Sequence, residues 1–365
     1  MAALAHAPSR HALHRLRVSD VEHLTEDSVA ITFDVPDDLG DVFSFGPGQH
    51  VAIVRSAGGD EIRRSYSICS AAGEPLRVAV KRLPDGRFST YAMNELRPGD
   101  VLDVLPPAGR FTTKLDPDKA NHYAAIAAGS GITPIISILQ SVLEGEPQSR
   151  FSLIYGNRTA RSIMFLDELE DLKNQYPTRF LRFHVLSQEP QDSELAEGRI
   201  DARKLERFLD GVIPEDTVDG WFLCGPLGML EEARALLRER GVPSGTIHRE
   251  LFHADSTAPV ASPPRADGAQ ADGAAVTIDL DGRRTELKVS PDGPSILEAA
   301  LAVRPDAPYA CKGGVCGTCR CRLVEGEVRM DHAYALEDDE IADGVRLACQ
   351  SHPVSDHIVI DFDAA

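Results

Sequence analysis

Three cysteines near the C-terminus restrict the fold of this chain more than any other feature. Cys311, Cys316 and Cys319 follow the pattern C-x4-C-x2-C among glycines, and Cys349 stands thirty residues beyond Cys319. One loop then supplies three thiolates and a distant segment supplies the fourth, which is the spacing of a plant-type 2Fe-2S cluster. The intervening glycines let the backbone fold closely around such a cluster and direct amide N–H groups at its sulfur atoms. We therefore expect these four cysteines to be the metal ligands.

A zinc knuckle is the alternative metal site, but its ligands come in close pairs that the C-x4-C limb does not match. A disulfide framework is disfavoured because the seven cysteines are an odd number and the chain has the features of a cytoplasmic protein. Cys321 lies two positions past a ligand, where a strand should begin, and Cys69 follows another predicted strand. We expect both of these side chains to be small buried hydrophobes.

The length and the charge narrow the possible functions. A chain of 365 residues corresponds to two or three domains, and a net charge of -19 argues against a nucleic-acid partner, because phosphate binding needs a basic surface. No apolar run approaches the roughly 20 residues needed to cross a bilayer, and the N-terminus lacks the apolar core of a signal peptide. We therefore expect a cytoplasmic protein that has no membrane partner.

A stretch rich in Ala, Pro, Asp and Gly, residues 254–275, marks the clearest boundary in the chain. It has no apolar periodicity and cannot bury enough surface to offset its ordering entropy, so it is predicted to be a flexible linker. The patterns on either side predict the remaining parts, which are an N-terminal tail (1–16), a barrel domain (17–116), an α/β domain (117–253) and a small C-terminal domain (276–365).

The fold class follows from the periodicity in each part. Runs such as VAITFDV, HVAIVRS and RVAVKRL, broken by turns such as FGPGQH and LPDGRF, are typical of an antiparallel β-barrel. From His122 onward apolar strands alternate with helices, as in RFSLIYGNRT followed by MFLDELEDLKNQY, which predicts a parallel sheet with crossover helices. The chain is therefore predicted to be a multidomain protein.

Several motifs carry a family resemblance. In order along the chain they are R-S-Y-S (64–67), V-K-R (80–82), G-R-F-S-T (86–90), A-A-G-S-G-I-T-P (127–134) and L-C-G-P (223–226). Together they make residues 17–253 resemble the ferredoxin-NADP reductase superfamily. Residues 276–363 resemble plant-type ferredoxin domains, which have an α+β fold called the β-grasp, a mixed sheet packed by a helix. The segment SILEAALAV is expected to be that helix.

The resemblance implies a flavin in the barrel, with FAD expected and FMN as the alternative. Arg64 would pair with the pyrophosphate, Tyr66 would pack on the isoalloxazine ring, and Ser67 would hydrogen-bond near N5, with Ser65 in the same motif. The two later segments would meet the phosphates through backbone amides and through the hydroxyls of Ser89 and Thr90. The flavin-binding residues expected in them are Val80, Lys81, Arg82, Gly86, Phe88, Ser89 and Thr90.

The glycine loop before the first α/β helix is predicted to bind a nucleotide. Gly129 and Gly131 remove side chains where a pyrophosphate approaches a helix N-terminus, and Thr133 can add a hydroxyl to the amide donors. Pro134 stands where the fingerprint G-x-G-x-x-G has its third glycine, although the form G-S-G-I-T-P resembles that of the reductase family. Arg158, with Arg161 and Ser162 nearby, could bind a 2′-phosphate, which favours NADPH over NADH.

Two further segments complete the expected reaction site. The resemblance places Cys224 and Gly225, followed by Pro226, beside the nicotinamide, with Cys224 as a positioning residue that forms no covalent bond. Phe252 stands where related enzymes have an aromatic or acidic group over the flavin, and Glu250 is a neighbour worth testing. The residues expected at the reacting atoms are Tyr66, Ser67, Cys224 and Phe252.

The order of these parts predicts an electron-transfer reductase. NADPH delivers a hydride, a 2Fe-2S cluster accepts single electrons, and a flavin can do both. Reductases with this domain order serve bacterial oxygenases. The stretches RRSYSICS, KRLPDGRFST and Gly326–Ala342 most resemble reductases whose di-iron oxygenase partner acts on an aromatic CoA thioester. The stretch Gly326–Ala342 has no derivable cofactor role, and it is either a surface feature or part of a docking face.

Three other functions remain open from the sequence. One is a redox sensor without turnover, and another is an NADPH diaphorase in which the cluster is only structural. The third is a reductase for a different oxygenase, such as a steroid or aromatic-ring hydroxylase.

Overall fold

The computed structural model describes residues 12–57, 59–252 and 273–364. The packing of these residues forms two units. One comprises residues 15–62 and 66–252, and the other comprises residues 273–364 with the short segments 12–14 and 63–65. The predicted linker lies outside the described residues except for its last three positions. The predicted N-terminal tail lies outside them up to residue 11, and a strand already begins at His14.

Six strands and one short helix form the first part of the larger unit. They are β1 (His14–Thr25), β2 (Ser28–Asp34), β3 (His50–Ala57), β4 (Asp60–Ser67), β5 (Arg77–Lys81), α1 (Arg87–Asn94) and β6 (Val101–Val104). The strand order is β4-β3-β6-β1-β2-β5, and β1–β2, β2–β5 and β3–β6 pair antiparallel. An antiparallel bridge between Ile68 and Val78 joins the two sheet edges and closes the predicted barrel.

The barrel closes because alternate residues of its strands are apolar and point inward. Leu16, Ile31, Ile53 and Val80 are fully buried in one cluster, and Phe88 of α1 covers the same cluster. Helix α1 was not predicted, since only the turn before it has a clear sequence signal. Asp85 of that turn has a φ of 57°, and the amide of Gly86 donates to the carbonyl of Leu83.

The second part of the larger unit is an α/β sheet. Its elements are β7 (His122–Ala128), α2 (Ile132–Gly145), β8 (Arg150–Asn157), α3 (Leu166–Gln175), β9 (Phe180–Leu186), α4 (Ala202–Gly211), β10 (Gly220–Gly225), α5 (Leu227–Glu239) and β11 (Ile247–Leu251). The strands are parallel in the order β11-β10-β7-β8-β9. The chain reverses direction across the sheet between β7 and β10, and ligands of such sheets bind at that point, beyond the carboxyl ends of the strands.

Hydrogen bonds fix the barrel to the α/β sheet within this unit. The hydroxyl of Ser137 on α2 donates to the carbonyl of Ser70, and it accepts from the amide of Gly48 at 3.2 Å. One turn later the hydroxyl of Ser141 accepts from the amide of Ala72 at 2.9 Å. These contacts, two of them buried, set the position of α2, and therefore of the glycine loop before it, relative to the barrel.

The C-terminal unit is the predicted β-grasp. Its elements are β12 (Ala274–Leu280), β13 (Arg283–Val289), α6 (Ile296–Leu301), β14 (Arg320–Glu325), β15 (Val328–Met330), α7 (Asp338–Ala342), β16 (Val345–Leu347), β17 (Ser351–Pro353) and β18 (His357–Asp361). The main sheet has the order β13-β12-β18-β14-β16, with β12 and β18 parallel and the remaining pairs antiparallel. The predicted helix, α6, begins at a Ser295–Glu298 capping box and packs Ile296 and Leu297 into the core.

No helix among the described residues has both the length and the hydropathy needed to cross a membrane.

Candidate functional site

The flavin motif lies at the carboxyl end of β4. Arg64 is exposed, and its Nη1 donates to the carbonyl of Arg63 at 2.7 Å. The hydroxyl of Ser65 is buried and has no hydrogen-bond partner within the described part of the chain. The ring of Tyr66 is half-buried and packs on Phe88, with ring centroids 5.3 Å apart. The motif thus presents a guanidinium group, an unsatisfied hydroxyl and a supported aromatic ring.

A carboxylate that the sequence only suggested joins the end of this motif. Ser67 is buried, and its hydroxyl donates to Oε2 of Glu250 at 3.0 Å. Oε1 of Glu250 lies 4.0 Å from Nδ1 of the buried His50 on β3. Glu250 ends up here because β11 runs beside β10 and ends at the same edge of the sheet, where Glu250 pairs in register with Cys224. A carboxylate at the end of an apolar strand was the available sequence signal.

The second flavin segment can offer mainly its backbone. The side chain of Val80 is fully buried in the barrel core, and Lys81 forms an ion pair with Asp27 at 3.5 Å. Arg82 is exposed, and its amide donates to the carbonyl of Asp27. Among the three residues of this segment, Arg82 therefore has the side chain that is most accessible to a ligand.

The third flavin segment is the start of α1. Gly86 precedes the helix without a capping side chain, and the first amides of a helix have no partner within the helix itself. Phe88 is buried in the barrel core, and the hydroxyl of Ser89 is engaged in the turn, where it donates to the carbonyl of Gly86 and accepts from the amide of Leu83. Thr90 is exposed. Only one of the two hydroxyls expected at phosphate therefore faces outward.

A cavity of about 370 Å³ opens beside this helix N-terminus. Gly86, Arg87 and Thr90 line it from the helix side, and Arg55 lines it from β3 with its guanidinium stacked 3.7 Å from the ring of Tyr91. Asp85 and Glu95 also line the cavity, and Arg87 pairs with Asp60 at 3.1 Å. Arg55, the hydroxyl of Thr90 and the first amides of α1 are donors that suit phosphate oxygens.

The glycine loop lies at the carboxyl end of β7, where α2 begins. Gly129 has a φ of +55°, and a Cβ on Gly131 would lie 2.2 Å from the carbonyl oxygen of Cys224. Gly131 is therefore required by close packing on β10 as well as by any ligand. Thr133 is buried, with its hydroxyl donating to the carbonyl of Ser130, and Pro134 is buried in α2. The hydroxyl of Thr133 thus stabilises the loop itself.

The predicted ribose loop follows β8. Arg158 and Arg161 are exposed. Ser162 forms a reciprocal capping box with Thr159, so its hydroxyl is engaged in the turn. A carboxylate not foreseen from the sequence is also present, because Oε2 of Glu189 accepts a hydrogen bond from the amide of Ala160 at 2.8 Å. The loop therefore combines two exposed cations with one anion.

The motif L-C-G-P lies at the carboxyl end of β10. Cys224 is fully buried, and burial, with a smaller contribution from Glu250, raises the pKa of its thiol well above the usual value. A Cβ on Gly225 would meet Cε of Met229 at 2.6 Å, and Pro226 immediately precedes α5. Phe252 is half-buried and packs against the core of the α/β sheet. A neutral thiol fits a positioning role for Cys224.

The predicted cluster ligands converge in the C-terminal unit. The Sγ of Cys311 accepts hydrogen bonds from the amides of Gly313 and Cys316 at 3.3 and 3.4 Å, and the Sγ of Cys316 accepts from the amide of Thr318 at 3.5 Å. The loop makes this possible by adopting positive φ at Gly314 and Gly317, at 73° and 69°. Amide donors directed at sulfur are the environment that iron–sulfur ligands require.

The four thiols meet in two hydrogen-bonded pairs, Cys311 with Cys316 and Cys319 with Cys349. These bonds raise the pKa of Cys311 and Cys319, and the bond from Cys319 lowers the pKa of Cys349. Within residues 12–57, 59–252 and 273–364, no three His, Cys, Asp or Glu side chains are placed as ligands around one ion. Two pairs match the two thiolates that each iron of a 2Fe-2S cluster receives. The residues present therefore fit a binuclear cluster.

The two cysteines assigned to the core are buried there. Burial raises the pKa of both Cys69 and Cys321 to about 12, and each thiol donates to a backbone carbonyl, that of Arg77 and Arg346 respectively. Neither thiol is available as a ligand.

The stretch Gly326–Ala342 packs on the cluster loop. The amide of Ala335 donates to the carbonyl of Gly314 at 3.0 Å, and Nη1 of Arg320 donates to the carbonyl of Ala335 at 2.9 Å. Arg320 also forms a largely buried ion pair with Glu340 of α7. Part of this stretch is thus a structural support of the loop, a role that its sequence did not reveal.

Comparison with protein families assigns the three parts of the chain. Residues 15–113 match the family described as "Oxidoreductase FAD-binding domain", and residues 125–235 match "Oxidoreductase NAD-binding domain". Residues 278–354 match "2Fe-2S iron-sulfur cluster binding domain".

Comparison with individual proteins finds similarity over nearly the whole chain. It is 45% identical to a subunit of the 1,2-phenylacetyl-CoA epoxidase of Escherichia coli (strain K12), over 96% of this chain and 98% of that protein. It is 36% identical to the ferredoxin reductase component of the 3-ketosteroid-9-alpha-monooxygenase of Rhodococcus rhodochrous, over 95% and 96%. The crystal structure of phthalate dioxygenase reductase has the same fold, with a TM-score of 0.59 and 24% identity over 96% of this chain and 98% of that chain.

Proposed function

Since the chain belongs to the ferredoxin-NADP reductase superfamily, among the oxygenase reductases with a C-terminal ferredoxin domain, we propose that it transfers electrons from NADPH to a di-iron phenylacetyl-CoA epoxidase. It is an oxidoreductase that uses FAD, a 2Fe-2S cluster and a pyridine nucleotide. When bound, FAD accepts a hydride and releases single electrons, which the cluster accepts one at a time. The observation that best supports this electron path is the Ser67–Glu250 hydrogen bond, which joins the flavin motif to the carboxyl edge of the nucleotide-binding sheet.

The phosphate end of the flavin is assigned to the donors around α1. Arg64 is exposed at the end of β4, and Arg55, Arg87 and Thr90 line the cavity at the helix N-terminus. Their positive charges and the first amides of the helix would bind a pyrophosphate. Tyr66, supported from behind by Phe88, would carry the ring of the flavin.

Ser67 and Glu250 are proposed to orient the reacting edge of the flavin. The hydroxyl of Ser67 donates its hydrogen to the carboxylate, so its oxygen can still accept a hydrogen bond from a ligand while Glu250 keeps it in one rotamer. Cys224 and Phe252 would position the nicotinamide through shape, because a fully buried neutral thiol offers no charge.

A comparison of Ser67→Ala and Glu250→Gln with wild type tests this role. We expect flavin reduction by NADPH, followed by stopped-flow absorbance, to slow by about tenfold to hundredfold in both variants. Flavin content should stay at the wild-type level because the groups proposed to bind the phosphates belong to other residues. The exposed Glu231→Gln on α5 serves as a control. Wild-type reduction rates in both variants would contradict the role.

NADPH is proposed as the donor because Arg158 and Arg161 are exposed in the ribose loop. The carboxylate of Glu189, bonded to the amide of Ala160, lies in the same loop and could instead accept a hydrogen bond from an unphosphorylated ribose. The preference of wild type is therefore expected to be moderate.

One experiment tests donor, cofactors and acceptor together. The purified chain is titrated anaerobically with NADPH and with NADH while the flavin and cluster absorbance bands are followed. Both bands should bleach at lower NADPH than NADH concentration, and Arg158→Ala should remove the difference. Addition of the phenylacetyl-CoA epoxidase components and phenylacetyl-CoA under air should then give turnover. A chain with no releasable flavin or with an iron content near zero would contradict the whole proposal.

The 36% identity to a steroid monooxygenase reductase makes a steroid hydroxylase the second candidate partner. The same assay separates the two partners. Turnover with a 3-ketosteroid 9α-hydroxylase and none with the epoxidase would favour the second partner while leaving the electron path unchanged.

The boundaries of the parts are also proposed, as a barrel domain (17–116), an α/β domain (117–253), a linker (254–275) and a ferredoxin domain (276–365). A cytoplasmic location is proposed because the cysteines suit a reducing compartment.

A further inference from the structure

The side chain of Gln350 is buried between the two segments that carry the proposed cluster ligands. It directly follows Cys349 and is only 8% exposed. Its Nε2 donates to the carbonyl of Lys312 at 2.9 Å and to the carbonyl of Cys349 at 3.0 Å, and it lies 3.6 Å from the Sγ of Cys349. Gln350 and Lys312 are 38 residues apart in the sequence. One carboxamide therefore joins the segment of the first ligand to the segment of the last.

The surrounding backbone is built around this carboxamide. Lys312 has a φ of 54°, a left-handed conformation that is unfavourable for a residue with a Cβ and that needs a compensating contact. A Cβ on Gly314 would lie 3.0 Å from Cγ of Gln350 and 3.2 Å from the carbonyl oxygen of His332. The carbonyl of Gln350 accepts from the amide of Asp331 at 3.0 Å. Gln350 thus lies between the cluster loop and the stretch that supports it.

The chemistry of such a donor is predictable. Reduction adds an electron to the cluster, and hydrogen bonds to its sulfur atoms stabilise the more negative state and raise its reduction potential. The Nε2 of Gln350 has two hydrogens for three acceptors, so its contact with the Sγ of Cys349 shares a hydrogen with a carbonyl. It adds a buried side-chain donor at Cys349 to the backbone amide of Gly314, whereas only backbone donors are described at Cys311.

We propose that Gln350 is a positioning residue that holds the cluster loop against Cys349 and raises the reduction potential of the 2Fe-2S cluster. The inference rests on the ligand set proposed above. It makes Gln350 a determinant of how electrons divide between the flavin and the cluster.

The test uses the full chain with FAD and cluster bound. Gln350→Met matches the side chain in length and volume but removes the donor. In an EPR-monitored redox titration, we expect the one-electron equilibrium between flavin and cluster to shift about tenfold toward the flavin, which corresponds to about 59 mV. The midpoint of the flavin should not move and serves as the internal reference. Loss of iron to a chelator should accelerate by about tenfold.

Two further variants keep the result decisive. Gln350→Glu fills the same space, replaces the donor by a carboxylate and adds negative charge, so the cluster midpoint should fall further. Ser351→Ala is the control, because its buried hydroxyl donates to the carbonyl of Leu347 instead of to the cluster loop. Loss of the cluster from both Gln350 variants, with FAD retained and the Ser351→Ala cluster intact, would also support the holding role.

The inference would be overturned if Gln350→Met had the wild-type cluster midpoint and lost iron at the wild-type rate. If Gln350→Met retains no cluster, the same two measurements on Gln350→Glu decide. Failure of the ligand set itself has a different signature. In that case Cys349→Ser would retain the wild-type EPR spectrum.

Discussion

His184 on β9 is expected to contribute to the acid sensitivity of the α/β sheet. Both ring nitrogens are buried and have no hydrogen-bond partner among the described residues, and the ring lies 6.0 Å from that of Tyr155. Burial, helped by the positive charge of Arg182, lowers the pKa of His184 from 6.5 to about 4. The unfolded chain therefore takes up a proton near pH 6.5 and the folded chain only near pH 4. Between these values protonation favours unfolding, and above pH 6.5 the contribution is constant.

We therefore expect the free energy of unfolding of this part of the chain to fall by about 3 kcal/mol between pH 6.5 and pH 4 because of His184. The single tryptophan, Trp221, is fully buried on β10 of the same sheet, so its fluorescence reports this unfolding during urea titrations at each pH. His184→Gln should flatten the profile over that interval, while the exposed His23→Gln should not. Identical slopes for wild type and His184→Gln would show that the buried neutral ring is not the cause.

At the scale of single residues, the sequence predicted the chemistry better than the contacts. The four cysteines could be proposed as one ligand set because their spacing belongs to few structures. Glu250 was only suggested, because its partner Ser67 is 183 residues away in the sequence. The engagement of Ser89 and Thr133 inside their own turns was not predictable either, since a hydroxyl in a motif can face a ligand or the backbone equally well.

At the scale of elements, strong periodicity was sufficient for some segments and weak periodicity failed for others. The strand and helix around the glycine loop were predictable because both are continuous apolar runs with glycines between them. Helix α1 was missed because it is only eight residues long and contains Ser, Thr and Asn, which are weak helix formers. Such a short helix depends on tertiary packing, here of Phe88, Ala92 and Met93, and that packing is not visible in the sequence. The close packing of Gly131 on Cys224 was also not predictable, because it depends on β10 lying next to β7 in the sheet.

The stretch Gly326–Ala342 shows the same limit for a whole segment. Its charged residues gave no chemical signal in the sequence. In the structure, Glu337 and Glu340 form a capping box for α7, and Glu340 also pairs with Arg320, which follows the proposed ligand Cys319. Some of the charged residues that suggested a docking face therefore stabilise the cluster loop from within the domain.

At the scale of the larger unit, hydride transfer needs the barrel and the α/β sheet to keep one alignment. Arg77 of β5 forms a forked ion pair with Glu168 of α3, with three N–O distances between 3.0 and 3.1 Å, and it also pairs with Glu22. The guanidinium lies 5.4 Å from the ring of Phe165, and its side chain is 18% exposed. The fork is therefore a partly buried link between the barrel and the α/β sheet.

Breaking this link should slow flavin reduction without lowering the FAD or iron content. We expect Arg77→Ala and Glu168→Ala each to slow flavin reduction at saturating NADPH by about threefold to tenfold, because small misalignments of donor and acceptor are costly. The double variant should be no slower than the slower single variant, since both remove the same contact. Arg77→Lys keeps the charge without the fork and should fall in between. Stopped-flow absorbance measures the rates, and released FAD and iron confirm that both cofactors remain bound. Multiplicative slowing in the double variant would mean that the two residues act independently and that the alignment depends on the contacts of Ser137 and Ser141 instead.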